Sequence, residues 1–284
     1  MKVRANAKVN LSLDITGKRA DGYHTISSVF QSVSLCDYIE VKKAEGIELR
    51  CNDITLENNE NLCFKAAHSF FEKANVVPGA WIYIDKHIPK AAGLGGGSTD
   101  AAAVLMALNT LYDKPLSEEQ MMELALTLGA DVPFCLVGGT KLCEGIGEEI
   151  SELPSLPECC IVIAKRGNKN STKEMYLALD SAADLRHSDN SKMVLGLNNG
   201  DLKEIFSDAY NCFGAVCDRE DLNTVKSKAE QLNAVYCGLS GAGPSVITVF
   251  DNMKNAVSLV DSLKNVGFWA DVFVPTSKGI EIIE

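Results

Sequence analysis

The sequence predicts an α+β chain in two domains, on three observations. Strand-period and helix-period segments interleave along the 284 residues. Two prolines in Leu153-Pro154-Ser155-Leu156-Pro157 break regular structure near the middle. That break divides the chain into 1–153 and 154–284. Each half carries one glycine-rich turn, which suits a ligand held between two domains.

In the first half, Val9, Leu11, Leu13 and Ile15 alternate with Lys8, Asn10, Ser12 and Asp14 at strand period, so Lys8 and Asn10 share a polar face. Gly17-Lys18-Arg19-Ala20-Asp21-Gly22-Tyr23-His24 reads as a polar turn, and strands are expected over 29–35, 39–41 and 47–49. A helix is expected over 61–73, with Leu62, Ala66, Ala67, Phe70 and Phe71 inward, and a strand over 81–84. The segment Pro89-Lys90-Ala91-Ala92-Gly93-Leu94-Gly95-Gly96-Gly97-Ser98-Thr99-Asp100 follows, then a helix with Ala101, Val104, Leu105 and Leu108 on one stripe. Ser98 or Thr99 is expected to cap that helix. Ser117-Glu118-Glu119-Gln120 forms a capping box for the next helix, whose apolar stripe runs through Met121, Leu124, Ala125 and Leu128 to Gly129. Asp131, before Pro133, stands where a further helix opens.

Beyond the boundary, 160–164 reads as a buried strand, and helical patterns follow at 173–179, 202–213 and 222–232. Strands at 235–238 and 245–250 flank the second glycine turn, Leu239-Ser240-Gly241-Ala242-Gly243-Pro244. A helix over 255–264 and a strand over 270–274 complete the pattern.

The chain is 46% hydrophobic, enough for a substantial core, and its net charge is −11 with no long basic run. Nucleic acid and anionic membrane are therefore not expected as general partners. A polyphosphate would be held by local features: backbone N–H groups, a few lysines and bound Mg²⁺. The start Met1-Lys2-Val3-Arg4 has no apolar signal core, and no apolar run reaches the ~18–20 residues that span a bilayer. A cytoplasmic location is the expectation. The ten cysteines are scattered without a Cys-x-x-Cys pair, so they are expected to be reduced and packed rather than metal ligands.

The glycine loop is the most informative stretch. Four of the residues 93–97 are glycine, which lets backbone N–H groups converge, and the helix beyond adds the positive end of its dipole. Such a turn holds an anion, most often phosphate. It is not a Walker A sequence, because no Gly-Lys-Ser/Thr follows. Gly93, Gly95 and Gly96 fit a dinucleotide fingerprint loosely, and Asp113 lies where a ribose-binding acid would, so an oxidoreductase reading stays open on the residues alone. By the same token Asp131 reads as a helix cap or as a catalytic acid.

These pieces, in this order, resemble the galacto-, homoserine, mevalonate and phosphomevalonate kinase superfamily. The shared motifs are the lysine-bearing first strand, the Pro-x-x-x-Gly-Leu-Gly-Gly-Gly-Ser loop and the C-terminal Gly-x-Gly turn. Ala7-Lys8-Val9-Asn10-Leu11, Arg19-Ala20-Asp21-Gly22-Tyr23-His24, Phe30-Gln31, Gly129-Ala130-Asp131-Val132-Pro133 and Glu144-Gly145-Ile146-Gly147 resemble the branch whose acceptor is a cytidylylated methylerythritol. The resemblance implies an N-terminal ribosomal-protein-like α+β domain and a C-terminal ferredoxin-like domain. It implies ATP-dependent phosphorylation of the acceptor's 2-hydroxyl, with Asp131 as general base and Lys8 holding that carboxylate ionised and stabilising the transferring phosphoryl group. Pro89 to Thr99 would wrap the ATP phosphates, with the Ser98 hydroxyl a Mg²⁺ contact. Tyr23, His24 and Phe30 would wall the cytidine site, Tyr176 would stack on the base, and Asn10 and Thr172 would neighbour the substrate. A sister kinase with a homoserine- or mevalonate-type acceptor is the alternative, and monomer or homodimer is left open.

Overall fold

A computed structural model describes residues 1–167, 172–182 and 186–284. In chain order the elements are β1 (Lys2–Asn10), β2 (Asp14–Lys18), β3 (His24–Lys43), β4 (Gly46–Cys51), α1 (Leu62–Ala74), β5 (Gly79–Asp85), α2 (Gly96–Leu111), α3 (Glu118–Leu128), α4 (Val132–Val137), β6 (Thr140–Glu144) and β7 (Glu149–Glu152). Then come β8 (Cys160–Lys165), α5 (Thr172–Asp180), α6 (Asn190–Asn199), α7 (Leu202–Ile205), α8 (Arg219–Gln231), β9 (Tyr236–Leu239), β10 (Val246–Phe250), α9 (Met253–Lys264), β11 (Trp269–Phe273) and β12 (Ile280–Ile282).

The first half builds an eight-stranded sheet around β3, whose main path runs β12-β1-β3-β5-β4. β3 is one continuous strand rather than the two expected. The polar break at Asp37 does not end it, because that buried carboxylate accepts backbone N–H bonds from His87 and Ile88. One face of this sheet packs on α1 to α4 through Ile39, Ile82, Phe70, Leu105 and their neighbours. The last strand, β12, pairs antiparallel with β1, so the chain returns at its end to the sheet in which it began.

β11-β8-β10-β9 form a second, wholly antiparallel sheet. With α8 and α9 packed on one face it has the split βαβ order of a ferredoxin-like fold. Its other face meets the exposed side of the first sheet in an apolar seam that includes Val9, Leu11, Val33, Ile161, Ile163 and Ile247. Ala92 and Leu94 of the glycine loop are buried in this same seam, which fixes the loop where the halves meet.

Several local expectations are revised. α2 starts at Gly96 with Gly95 as its cap residue, so neither Ser98 nor Thr99 caps it; Thr99 instead donates its hydroxyl to the Asn6 carbonyl. α2 is buried nearly all round rather than striped, since it runs between the sheet, α1 and α4. The helix expected over 202–213 stops at Ile205. Beyond it Leu13 pairs with Asn211 and exchanges backbone bonds with Tyr210 and Cys212, which draws that stretch out of a helix. The Ser117–Gln120 capping box forms as expected, and Gly129 follows the end of α3.

Candidate active site

The alternation of β1 puts Lys8 and Asn10 on the face opposite Val9 and Leu11, but that polar face is buried as well. A register shift between Asn6 and Lys8 lies just ahead of the lysine; such bulges re-aim side chains. Lys8 Nζ lies 3.2 Å from Asp131 Oδ2, donates to Asn10 Oδ1 at 3.0 Å and sits 4.2 Å above the Phe30 ring. Asn10 is held in turn by Ser28, to which its Nδ2 donates at 2.9 Å. Asp131 occupies the cap position of α4 yet its side chain makes no capping bond. Its carboxylate, 35% exposed, turns to Lys8 and the cleft instead. That geometry separates it from an ordinary helix cap.

The glycine loop forms the adjoining wall. Its carbonyls are bound by the protein: Ala92 O accepts from Ser245 N at 3.3 Å, Gly93 O from Ser240 Oγ at 2.8 Å and Leu94 O from Lys8 N at 3.0 Å. Among the described residues no acceptor is found for the N–H groups of Gly95, Gly96, Gly97 and Ser98. These four residues line the cleft, so their donors and the helix dipole are offered to an anion there. The second glycine turn closes on the first through that Ser240 bond, and Asn211 Nδ2 braces it, donating at 2.9 Å to both Leu239 O and Gly241 O. Gly93, at φ +76°, approaches Ser240 so closely that a Cβ would lie 2.2 Å from its carbonyl oxygen.

Lys8, Asn10, Phe30, Asp131, Thr172, Tyr176 and the loop from Pro89 to Ser98 border one cleft of about 610 Å³. Thr99 does not; it is buried beneath the loop. Phe30 is 1% exposed, packed edge-on to Phe134 as a floor under Lys8 rather than as an open wall. Tyr23 is 62% exposed and outside the cleft. His24 does not border the cleft; its ring is stacked on Tyr176, 4.7 Å away at 16°, and its Nε2 lies 2.7 Å from Asp180 Oδ1. Phe213 meets Tyr176 edge-on at 5.1 Å.

Sequence reasoning missed three parts of this site. The segment through Leu56, Asn58 and Leu62 faces the glycine loop across the cleft, where only the start of a helix was legible. Lys90 of the loop is tied to Asp53 and, at 3.1 Å, to Thr55 Oγ1. Beneath the loop, Lys86 Nζ bridges Asp37 Oδ2 at 2.5 Å and Asp100 Oδ2 at 2.6 Å. Burial lowers the Lys86 pKa, but the two carboxylates outweigh it and hold the ammonium above the ordinary lysine value. A lysine three residues before the loop carries no spacing signal that would have singled it out.

Comparison with known proteins agrees with this geometry. Residues 61–139 match the GHMP kinases N terminal domain and residues 193–267 the GHMP kinases C terminal domain. A protein of Clostridium acetobutylicum named 4-diphosphocytidyl-2-C-methyl-D-erythritol kinase is 40% identical over 260 residues, 90% of this chain and 93% of its own length. One of the same name from Caldicellulosiruptor bescii is 41% identical, over 93% of this chain and 94% of its own length. A crystal structure of 4-(cytidine 5'-diphospho)-2C-methyl-D-erythritol kinase superposes with a TM-score of 0.80 at 31% identity, covering 97% of this chain and all of its own. A homoserine kinase from Cytophaga hutchinsonii shares the fold, with a TM-score of 0.79 at 20% identity, over 100% of this chain and 97% of its own. The lysine-bearing strand, the two apposed glycine turns and these likenesses agree: the chain belongs to the 4-diphosphocytidyl-2-C-methyl-D-erythritol kinase family of the GHMP kinases.

Proposed function

We propose that the chain transfers the γ-phosphoryl group of ATP to the 2-hydroxyl of 4-diphosphocytidyl-2-C-methyl-D-erythritol, a step of the non-mevalonate isoprenoid pathway. The observation that carries this reading is the Lys8–Asp131 pair, 3.2 Å apart and bordering the same cleft as the glycine loop. In the reaction the acceptor oxygen forms a bond to the γ-phosphorus while the bond to the bridging oxygen of ADP breaks. Asp131 takes the hydroxyl proton, and Lys8 offsets charge on the transferring group. The N–H groups of Gly95 to Ser98 hold the nucleotide phosphates without any help from the chain's net charge of −11.

Magnesium is part of the proposal. Among the described residues no cluster of three or more His, Cys, Asp or Glu could hold a metal ion. That fits an ion carried in on the phosphates, with the Ser98 hydroxyl as its protein contact. Bound there, it would neutralise phosphate charge.

The acceptor's base is assigned to the lobe of Thr172, Tyr176 and Phe213. His24 covers one face of Tyr176, and we place the base on that face, where it takes the position of the His24 ring. We keep 1–153 and 154–284 as the working division, with β12 lent to the first sheet. A phosphoryl-transfer assay with ATP and a panel of acceptors tests the reading. The cytidylylated alcohol should yield ADP and the 2-phosphate, and efficient turnover of homoserine or mevalonate instead would overturn it.

A further inference from the structure

The glycine loop is suspended between two segments that a single buried side chain joins. The segment leading into it, residues 86–88, wraps the Asp37 carboxylate of β3, whose Oδ1 accepts from His87 N at 2.5 Å and Ile88 N at 2.8 Å. The loop's end is the first turn and a half of α2, which carries Asp100. From that leading segment Lys86 reaches both acids, Asp37 Oδ2 at 2.5 Å and Asp100 Oδ2 at 2.6 Å. All three side chains are nearly buried, at 9%, 0% and 4% exposure for Lys86, Asp37 and Asp100. Nζ lies directly under the loop's exit: a Cβ on Gly96 would come within 3.0 Å of it. Lys86 and Asp100 also border the cleft.

We propose that Lys86 is a positioning residue for the nucleotide, a clasp that fixes the separation of the two loop ends and so aims the N–H groups of Gly95 to Ser98 at the phosphates. The inference rests on the ATP-dependent kinase reading above. Stability alone does not account for the arrangement. Buried ionic groups contribute little net stability compared with apolar residues of similar volume, because each is stripped of water. Among the described residues Asp100 Oδ1 has no hydrogen-bond partner, which adds to that cost. What charged partners supply and apolar ones do not is direction: two short bonds from one ammonium, one to β3 and one to α2, leave the loop one spacing. Of the other tethers, Lys8 N to Leu94 O and Ser240 Oγ to Gly93 O hold the middle of the loop, and Thr99 Oγ1 to Asn6 O ties its exit to β1; none of these joins the exit to the segment at 86–88.

The test compares wild type, Lys86→Met, Lys86→Arg and the double variant Lys86→Met/Asp100→Leu by steady-state kinetics, with ATP and acceptor varied in turn, and by melting temperature. The double variant removes the ammonium together with the acid it leaves stranded, while Asp37 keeps its two backbone donors. It therefore guards against a single variant that does not fold. The clasp predicts a KM for ATP raised tenfold or more in Lys86→Met and in the double variant, a KM for the acceptor within twofold of wild type, and partial recovery in Lys86→Arg. A folded double variant with the wild-type KM for ATP overturns the clasp while leaving the kinase reading intact. Equal loss of amplitude at unchanged KM values overturns it too, since that is the mark of a merely structural role. A wild-type protein that binds no ATP would instead overturn the kinase reading itself.

Discussion

Lys8 Nζ and Asp131 Oδ2 stand 3.2 Å apart, brought together by β1 and by the turn ahead of α4, elements 123 residues apart in the chain (131 − 8). The lysine is nearly buried, 6% exposed, with Asn10 as its second polar partner. Lys8→Met removes the cation and leaves the aspartate without it. Loss of one preorganised charge-stabilising group typically costs ~10²–10³ in turnover. We expect a fall of that order in kcat with ATP affinity changed far less. A Lys8→Met enzyme with wild-type kcat would show the pair to be structural.

Two glycines of the first loop give a contrast. Gly93 sits at φ +76°, and a Cβ there would be 2.2 Å from Ser240 O, whereas a Cβ on Gly97 would meet nothing nearer than Leu62 Cδ1 at 3.7 Å. Gly93→Ala should cost roughly 1–3 kcal/mol of stability through overpacking and a strained backbone, and weaken ATP binding with it. Gly97→Ala should melt with wild type. Thermal unfolding with and without ATP measures both, and equal melting temperatures for the two variants would count against the loop contact.

Stacking of His24 on Tyr176 makes acceptor binding visible. With four histidines in the chain, the ring resonances of His24 are assignable by one substitution. If the base takes the face of Tyr176 that His24 now covers, the His24 signals lose the shielding of that ring and move downfield as acceptor is added. ATP alone should leave them in place. Tyr176→Ala should lower kcat/KM for the cytidylylated acceptor by about ten- to a hundredfold, the scale of ~1–3 kcal/mol for one base stack. Static His24 signals at saturating acceptor would contradict this placement of the base.

Much of the site was legible because its geometry is local. The loop motif lies within one stretch, and the alternation from Lys8 to Asp14 places Lys8 and Asn10 on one face without any knowledge of the fold. Long-range facts were not legible. Leu13 recruiting Tyr210 to Cys212 dissolved an expected helix, and no pattern within 202–213 announces a partner nearly two hundred residues away. The short strands β6, β7 and β12 and the polar helix α6 carry too little apolar periodicity to be read alone. Likewise Asp37 and Lys86 look like surface charges until the sheet and α2 enclose them.

Eight of the ten cysteines are buried, and burial pushes the thiols of Cys143, Cys159 and Cys212 up to about 12. Such thiols are almost entirely protonated at neutral pH and slow to react. Native protein should therefore titrate at most two thiols quickly, Cys217 and Cys237, and all ten in denaturant. Fast reaction of several thiols in the native state would contradict this burial.

The most direct test of the catalytic assignment is single-turnover phosphoryl transfer by Asp131→Asn, with ATP affinity measured alongside. The amide keeps the shape of the carboxylate but cannot take the acceptor's proton. General-base catalysis contributes ~10²–10⁴-fold, so the transfer rate should fall by that factor while ATP binds as it does to wild type. A transfer rate within a few-fold of wild type would mean that Asp131 is not the base.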